Sequence, residues 1–127
     1  MREILFRGKR INSREWAYGD LLTCDDEMEI YSESHGENGG WVIPETVGEY
    51  TGLTDKNGVK IFEGDIIKST TSGTIGKVGY YPEEGAFMVL FNASSGYCVG
   101  YLDINMSTIE IIGNIYDNPE LIKDDTE

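Results

Sequence analysis

The stretch YTGLTDKNGVKIFEGDIIK, from Tyr50 to Lys68, contains two turn signals in quick succession. Asn57-Gly58 is a pair that readily takes the positive φ angles of a tight hairpin turn, and β-forming residues flank it on both sides. Gly64-Asp65 marks a second reversal, in which the Asp65 carboxylate can accept backbone N–H groups. The stretch therefore predicts two chain reversals that lead into a β structure, rather than a reactive site.

Short β-forming segments continue on both sides of this stretch. Upstream, residues 18–23 and 28–32 predict a hairpin whose exposed turn is 25–27. Downstream, several further segments alternate with turns that contain Gly, Pro or Asn, as in small barrels and sandwiches. No long amphipathic helix is indicated, and Asn118-Pro119 caps at most one helical turn. We predict a mainly β protein with little helix.

Two regions follow from the distribution of these segments. Residues 1–49 predict an N-terminal β-hairpin and loop region, and residues 50–127 hold the denser β region. No linker of the kind that separates stable domains is present, so we expect one compact unit. We also expect the large aromatic side chains of Trp16 and Trp41 to be mostly buried.

Charge is abundant and uneven along the 127 residues. Ten Lys and Arg residues oppose 23 Asp and Glu residues, which gives a net charge of −13 and argues against direct nucleic-acid binding through a broad basic surface. Residues 1–14 carry a local excess of positive charge, whereas residues 15–37 contain acids and no Lys or Arg. The two segments predict either an interface that guides subunits together or an ordinary solvated surface. The candidate interface residues are Arg7, Lys9, Arg10, Asp25, Asp26, Glu27, Tyr97 and Tyr101.

Motifs for catalysis or for cofactor binding are missing from the sequence. The single histidine, His35, lies in a Gly-rich loop, and no nucleophile or phosphate-binding signature occurs. Cys24 and Cys98 are far apart, and we expect two buried free thiols in a reducing cytosol. Glu63 and Asp65 could act as an acid pair, but Gly64 between them favours a turn. We therefore predict a protein that is not an enzyme and binds neither a metal nor a cofactor.

Four segments together resemble one family. They are ILFRGKRINSREWAYGDLL (4–22), WVIPETVGEYTGL (41–53), the opening stretch (50–68) and IIGNIYDNPELI (111–122), and in this order they resemble the YopX-like family of phage and prophage proteins. The last segment adds Gly113, Asn114 and Pro119 to Asn57, Gly58, Gly64 and Asp65 as predicted structural turns.

The resemblance implies several properties. It implies a largely β protein with a small SH3-like barrel in the C-terminal half, encoded by a bacteriophage or prophage. It brings no reaction and no catalytic residues. We expect no membrane span, because no apolar run is long enough, and we expect a cytoplasmic location in the bacterial host.

These observations lead to two expectations about function. The first is a non-enzymatic binding or self-assembling module, whose partner is the chain itself or else a host or phage protein. The alternative is an acidic inhibitor that imitates DNA and blocks a host nucleic-acid enzyme, as the net charge of −13 suggests.

Overall fold

A computed structural model describes residues 4–31, 40–70, 73–82, 85–93, 96–101 and 108–122, with the backbone alone described at 81, 86, 91–93, 96–101 and 122. Most of these residues lie in β-strands and very few in helices, which confirms the prediction of a mainly β protein with little helix. Contacts within the chain divide it into two compact units, Met1–Gly52 and Leu53–Glu127.

The strands are short and follow one another closely. The first unit holds β1 (Phe6–Lys9), β2 (Trp16–Cys24), β3 (Glu27–Tyr31), β4 (Gly40–Val42) and a 3₁₀ helix (Pro44–Thr46), and β5 (Gly48–Thr54) crosses the boundary between the units. The second unit continues with β6 (Lys60–Phe62), β7 (Asp65–Ser69), β8 (Ile75–Tyr81), β9 (Ala86–Ala93), β10 (Gly96–Tyr101), β11 (Ile109–Asn114) and a 3₁₀ helix (Pro119–Ile122).

These strands form two antiparallel sheets. The orders are β4-β3-β2-β1-β5-β6 and β10-β9-β8-β7-β11. The predicted hairpin is the β2–β3 pair, in register from Asp20 opposite Tyr31 to Cys24 opposite Glu27. The order of the second sheet ends at β10 and β11, and within the described residues no pairing closes it into a barrel. The SH3-like barrel therefore stays a prediction.

Alternation along the strands determines the core of the first unit. Ala17, Ile30 and Val42 are fully buried, because they point to one face of β2, β3 and β4. The same alternation sends Cys24 and Trp41 to the opposite face, where Cys24 is exposed and Trp41 is 46% exposed. The expectations of a buried Cys24 thiol and a buried Trp41 were therefore wrong, since residues next to inward-facing positions must point outward.

The main apolar cluster of the second unit packs against one face of the second sheet. Ile61, Ile67, Val78, Val89 and Ile109 form a buried cluster, against which further apolar side chains pack. Each such side chain stabilises the fold by about 1.5–3 kcal/mol relative to an exposed position. No helix among the described residues has the length and apolarity to cross a membrane.

Candidate functional site

A buried carboxylate organises the turn after β5. The Asp55 side chain is 6% exposed. Its Oδ1 accepts the backbone N–H groups of Asn57 at 2.8 Å and Val59 at 3.0 Å, and its Oδ2 accepts the N–H of Ile111 at 3.0 Å. One carboxylate thus satisfies three backbone donors from two separate segments of the chain, which are two of the four segments that resemble the family.

The same turn covers one edge of the second sheet. β11 pairs with β7 along one edge. On its other edge, the Lys56 N–H donates to the Ile109 carbonyl at 2.9 Å, next to the bond from Ile111 to Asp55. An uncovered strand edge is a template for unwanted pairing, so Asp55 and Lys56 protect β11 as a neighbouring strand would.

The pKa of the Asp55 carboxyl reflects two opposing effects. Burial raises this pKa, because a charge is poorly solvated inside the protein. The hydrogen bonds from Ile111, Val59 and Asn57, together with the positive charge of Lys56, outweigh burial and hold the pKa below its ordinary value of 3.8. The carboxylate is therefore ionised at neutral pH and acts as an acceptor.

The two predicted reversals are built around glycines. Gly58 has a φ of +83°, and its N–H donates to the Asp55 carbonyl at 3.0 Å, which closes a β-turn that includes Asn57. Gly64 has a φ of +91°, and the next residue, Asp65, is 2% exposed. The Asp65 Oδ2 atom accepts the Phe62 N–H at 2.7 Å, which spans the second reversal.

Gly64 is also constrained by a neighbouring ring. A Cβ atom at Gly64 would lie 2.9 Å from Cε2 of Tyr116, closer than such atoms approach. The Gly64 N–H donates to the Val78 carbonyl at 2.9 Å, and its carbonyl accepts the Ile115 N–H at 2.8 Å. The absence of a side chain at Gly64 thus allows the segment after β11 to dock against this turn.

The segment after β11 is held by Asn114. Its Oδ1 atom accepts the N–H groups of Tyr116 at 3.0 Å and Asp117 at 2.9 Å, and its carbonyl accepts the Asn118 N–H at 2.8 Å. A Cβ atom at Gly113 would lie 2.6 Å from Oδ1 of Asn118, so the chain there is closely packed. Pro119 begins the short 3₁₀ helix directly after Asn118.

The carboxylates and amides of both segments therefore bind the protein's own backbone. Asp55, Asp65 and Asn114 each accept at least one main-chain N–H. Within the described ranges, no group of three or more His, Cys, Asp or Glu side chains is arranged to hold a metal ion. Chemically, these side chains act as hydrogen-bond acceptors that hold the backbone in place.

The basic interface candidates surround one tryptophan in the first unit. The Arg7 side chain is 6% exposed, and its guanidinium carbon lies 4.4 Å from the centre of the Trp16 ring. The Lys9 ammonium lies 5.4 Å from the same centre and donates to the Arg14 carbonyl at 3.1 Å. Such contacts with an aromatic face are worth about 0.5–2 kcal/mol each.

Arg10 and the acidic candidates lie farther along the strands. The Arg10 guanidinium is 3.7 Å from a carboxylate oxygen of Glu15. Asp25, Asp26 and Glu27 are all exposed at the β2–β3 turn, where Asp25 has a φ of +56°.

Two further candidates cannot be placed as side chains. Tyr97 and Tyr101 belong to β10 and pair with Asn92 and Met88 of β9. Their side chains lie outside the described part of the structure.

Sequence reasoning missed the roles of two structurally central residues. Asp55 precedes the Asn57-Gly58 turn by two residues, and an aspartate at the first position of a β-turn was the available signal. Thr46 is buried, accepts the Lys9 N–H at 2.9 Å through Oγ1 and donates to the Ile43 carbonyl at 2.7 Å. Nothing in the local sequence pairs Thr46 with Lys9, because the two are joined only by the fold.

Comparisons with known proteins agree with this architecture. The family described as YopX protein matches residues 3–123. A solved structure, "Crystal structure of protein EF1440 from Enterococcus faecalis", is 21% identical and covers 97% of this chain and 100% of its own, with a TM-score of 0.55. At that identity the likeness concerns the fold alone. No curated protein matches the chain.

Proposed function

The chain belongs to the YopX protein family, and on that premise we propose that it is a non-enzymatic binding module that associates with itself. One observation carries the proposal. The polar side chains of the family segments, Asp55, Asp65 and Asn114, bind backbone N–H groups and so build shape. Because these residues serve the backbone, the function is to be sought in the surface that this backbone presents.

The charge distribution supports association between copies. Arg14 is exposed in the positively charged segment 1–14, and the acidic turn formed by Asp25, Asp26 and Glu27 is exposed in the negatively charged segment 15–37. Opposite patches on one chain are complementary between two copies, and they accelerate and orient encounters.

The proposal includes three finer statements. The second sheet and its connections form an SH3-like barrel, with short strands and glycine-containing turns in its support. The chain is encoded by a bacteriophage or prophage, as its likeness to phage proteins in sequence suggests. It acts in the cytoplasm of the bacterial host.

Light scattering over a range of protein concentrations tests self-association. The expected mass at the highest concentration is a multiple of 14.2 kDa, and high salt should reduce it. The double variant Asp26→Lys/Glu27→Lys should reduce it at low salt, and an added Arg14→Glu should restore it. A control, Glu120→Lys, reverses an exposed acid of the other unit and should leave the mass unchanged. A monomer under every condition would refute the proposal.

A second candidate function is an acidic inhibitor that imitates DNA. It is favoured by the exposure of Asp25, Asp26 and Glu27 on a chain of net charge −13. Its test is competition with duplex DNA for a basic DNA-binding protein. This function is supported if the parent chain displaces the DNA and a variant with amides in place of these three acids does not. It is rejected if the parent chain displaces no DNA at low salt.

A further inference from the structure

Three strands of the first unit present a continuous outward face. Leu22 lies opposite Glu29 on β3, and Glu29 lies opposite Trp41 on β4. In the neighbouring row, Asp20 lies opposite Tyr31. Residues opposite one another on antiparallel strands share a face, and so do residues two apart on one strand. We call these five residues the outer face of β2–β4.

This face exposes large apolar side chains that the core does not use. Leu22 is 50% exposed, Tyr31 51% and Trp41 46%. The opposite face of the same strands already buries Ala17 and Ile30. Three large apolar side chains grouped on one sheet face differ from single exposed residues, and such groups mark interaction sites.

Carboxylates separate the apolar side chains of the outer face. Asp20 is exposed and Glu29 is half-buried between Leu22 and Trp41. Neither carboxylate forms an ion pair with another residue in the described part of the chain. Residues 15–37 supply no Lys or Arg that could neutralise them. An occupant must therefore bring positive charge as well as apolar surface.

The charge of the whole chain decides between a second copy and a different protein. A second copy also carries −13, and its positively charged segment, 1–14, is already used at the acidic turn 25–27 in the self-association proposed above. Nucleic acid is repelled by the same net charge. A cationic protein is attracted by the same field.

We propose that the outer face of β2–β4 is a docking surface for a cationic segment of another protein, one that carries apolar side chains between its Lys or Arg residues. Trp41 and Leu22 supply the apolar contacts, and Glu29 between them receives a cation. Aromatic anchors beside a desolvated charge pair are typical of the residues that dominate binding energy.

Isothermal titration of the full chain with three synthetic peptides of equal length tests this surface. In the first peptide Lys and Leu alternate, in the second Ser replaces each Leu, and in the third Glu replaces each Lys. The first should bind at least about tenfold more tightly than the other two, since both kinds of contact contribute. Equal binding of the first two peptides would show attraction by charge alone and would overturn the proposal.

Matched variants locate the site. Trp41→Ser, Leu22→Ser and Glu29→Gln should each weaken binding of the first peptide by about tenfold. Val59→Ser and Glu45→Gln are the controls, because Val59 is 51% exposed and Glu45 is exposed, and both lie outside the outer face. Their binding should match that of the parent chain. Far-UV circular dichroism verifies that each variant is folded. If Trp41→Ser does not fold, Leu22→Ser serves as the test variant in its place.

Two further outcomes would overturn the proposal. The first is equal weakening by the face variants and the controls. The second is self-association of the parent chain that Trp41→Ser abolishes, with no peptide binding, because a second copy would then occupy the face. Self-association that depends on Asp26 and Glu27 but not on Trp41 leaves the two proposals separate.

Discussion

Replacement of Asp55 by alanine should destabilise the second unit more than is usual for a single residue in a turn. The substitution removes the acceptor of three backbone N–H groups, those of Asn57, Val59 and Ile111. Water can reach the exposed Asn57 and Val59 more easily than Ile111. At about 1 kcal/mol for each bond, the loss in free energy of unfolding is about 3 kcal/mol, and water replaces the bond to Ile111 least readily.

The stabilisation by Asp55 should depend on pH in a defined direction. Its folded-state pKa lies below the ordinary value of 3.8. Stability from this group is therefore present in full above its unfolded-state pKa and is lost as the pH falls toward the folded-state pKa. The difference in unfolding free energy between the parent chain and Asp55→Ala should be constant near neutral pH and should shrink below pH of about 4.

Urea unfolding followed by far-UV circular dichroism, repeated from neutral to acid pH, measures both effects. Asp55→Asn keeps the volume without the charge. It should show a smaller loss near neutral pH, with the same change with pH, because the titrating group is absent from both variants. Glu120→Ala, at an exposed position of the same unit, should change stability by less than about 0.5 kcal/mol. A loss below about 0.5 kcal/mol for Asp55→Ala, or a difference that does not change with pH, would show that the Asp55 carboxylate does not hold these three amides.

Four further substitutions test the other turns and the connection of β1, each by thermal or urea unfolding. Gly58→Val should cost about 1 kcal/mol or more, because open space surrounds the position and the cost comes from the φ of +83°; an unchanged melting temperature would contradict this. Gly64→Ala should cost more than Gly58→Ala, since its Cβ would also meet the Tyr116 ring at 2.9 Å, and equal costs would argue against that contact. Asn114→Ala should cost about 1–2 kcal/mol through two lost N–H bonds, and Asn114→Asp should recover only part of this, because its carboxylate keeps both acceptors but faces the Asp117 carboxylate to which Asn114 Nδ2 donates at 3.1 Å. Thr46→Val should cost about 1–2 kcal/mol, because it leaves the Lys9 N–H and the Ile43 carbonyl without their hydroxyl partner, and Thr46→Ser should recover part of it.

Local signals in the sequence were sufficient for the strands and for the first hairpin. Alternation in residues 28–32 predicted the inward Ile30, and Asn57-Gly58 marked the turn after β5. Both signals arise from residues close together in sequence. The family resemblance agreed with the match over residues 3–123.

These local signals could not predict the long-range contacts. The bond between Asp55 and Ile111 joins residues 56 positions apart, and the bond between Lys9 and Thr46 joins residues 37 apart. No local pattern encodes which loop covers which strand edge. The outward position of Trp41 was predictable from Val42 beside it, but a size-based expectation of burial overrode the alternation.

Residue-by-residue amide hydrogen exchange of the native chain measures whether the family segments form a hydrogen-bonded frame in which Asp55 and Asp65 hold backbone amides. The amide of Ile111, which binds Asp55, and that of Phe62, which binds Asp65, should exchange only on extensive unfolding, as slowly as those of the core strand β7. Exchange of both amides at the rate of exposed turns, while β7 stays protected, would contradict this frame.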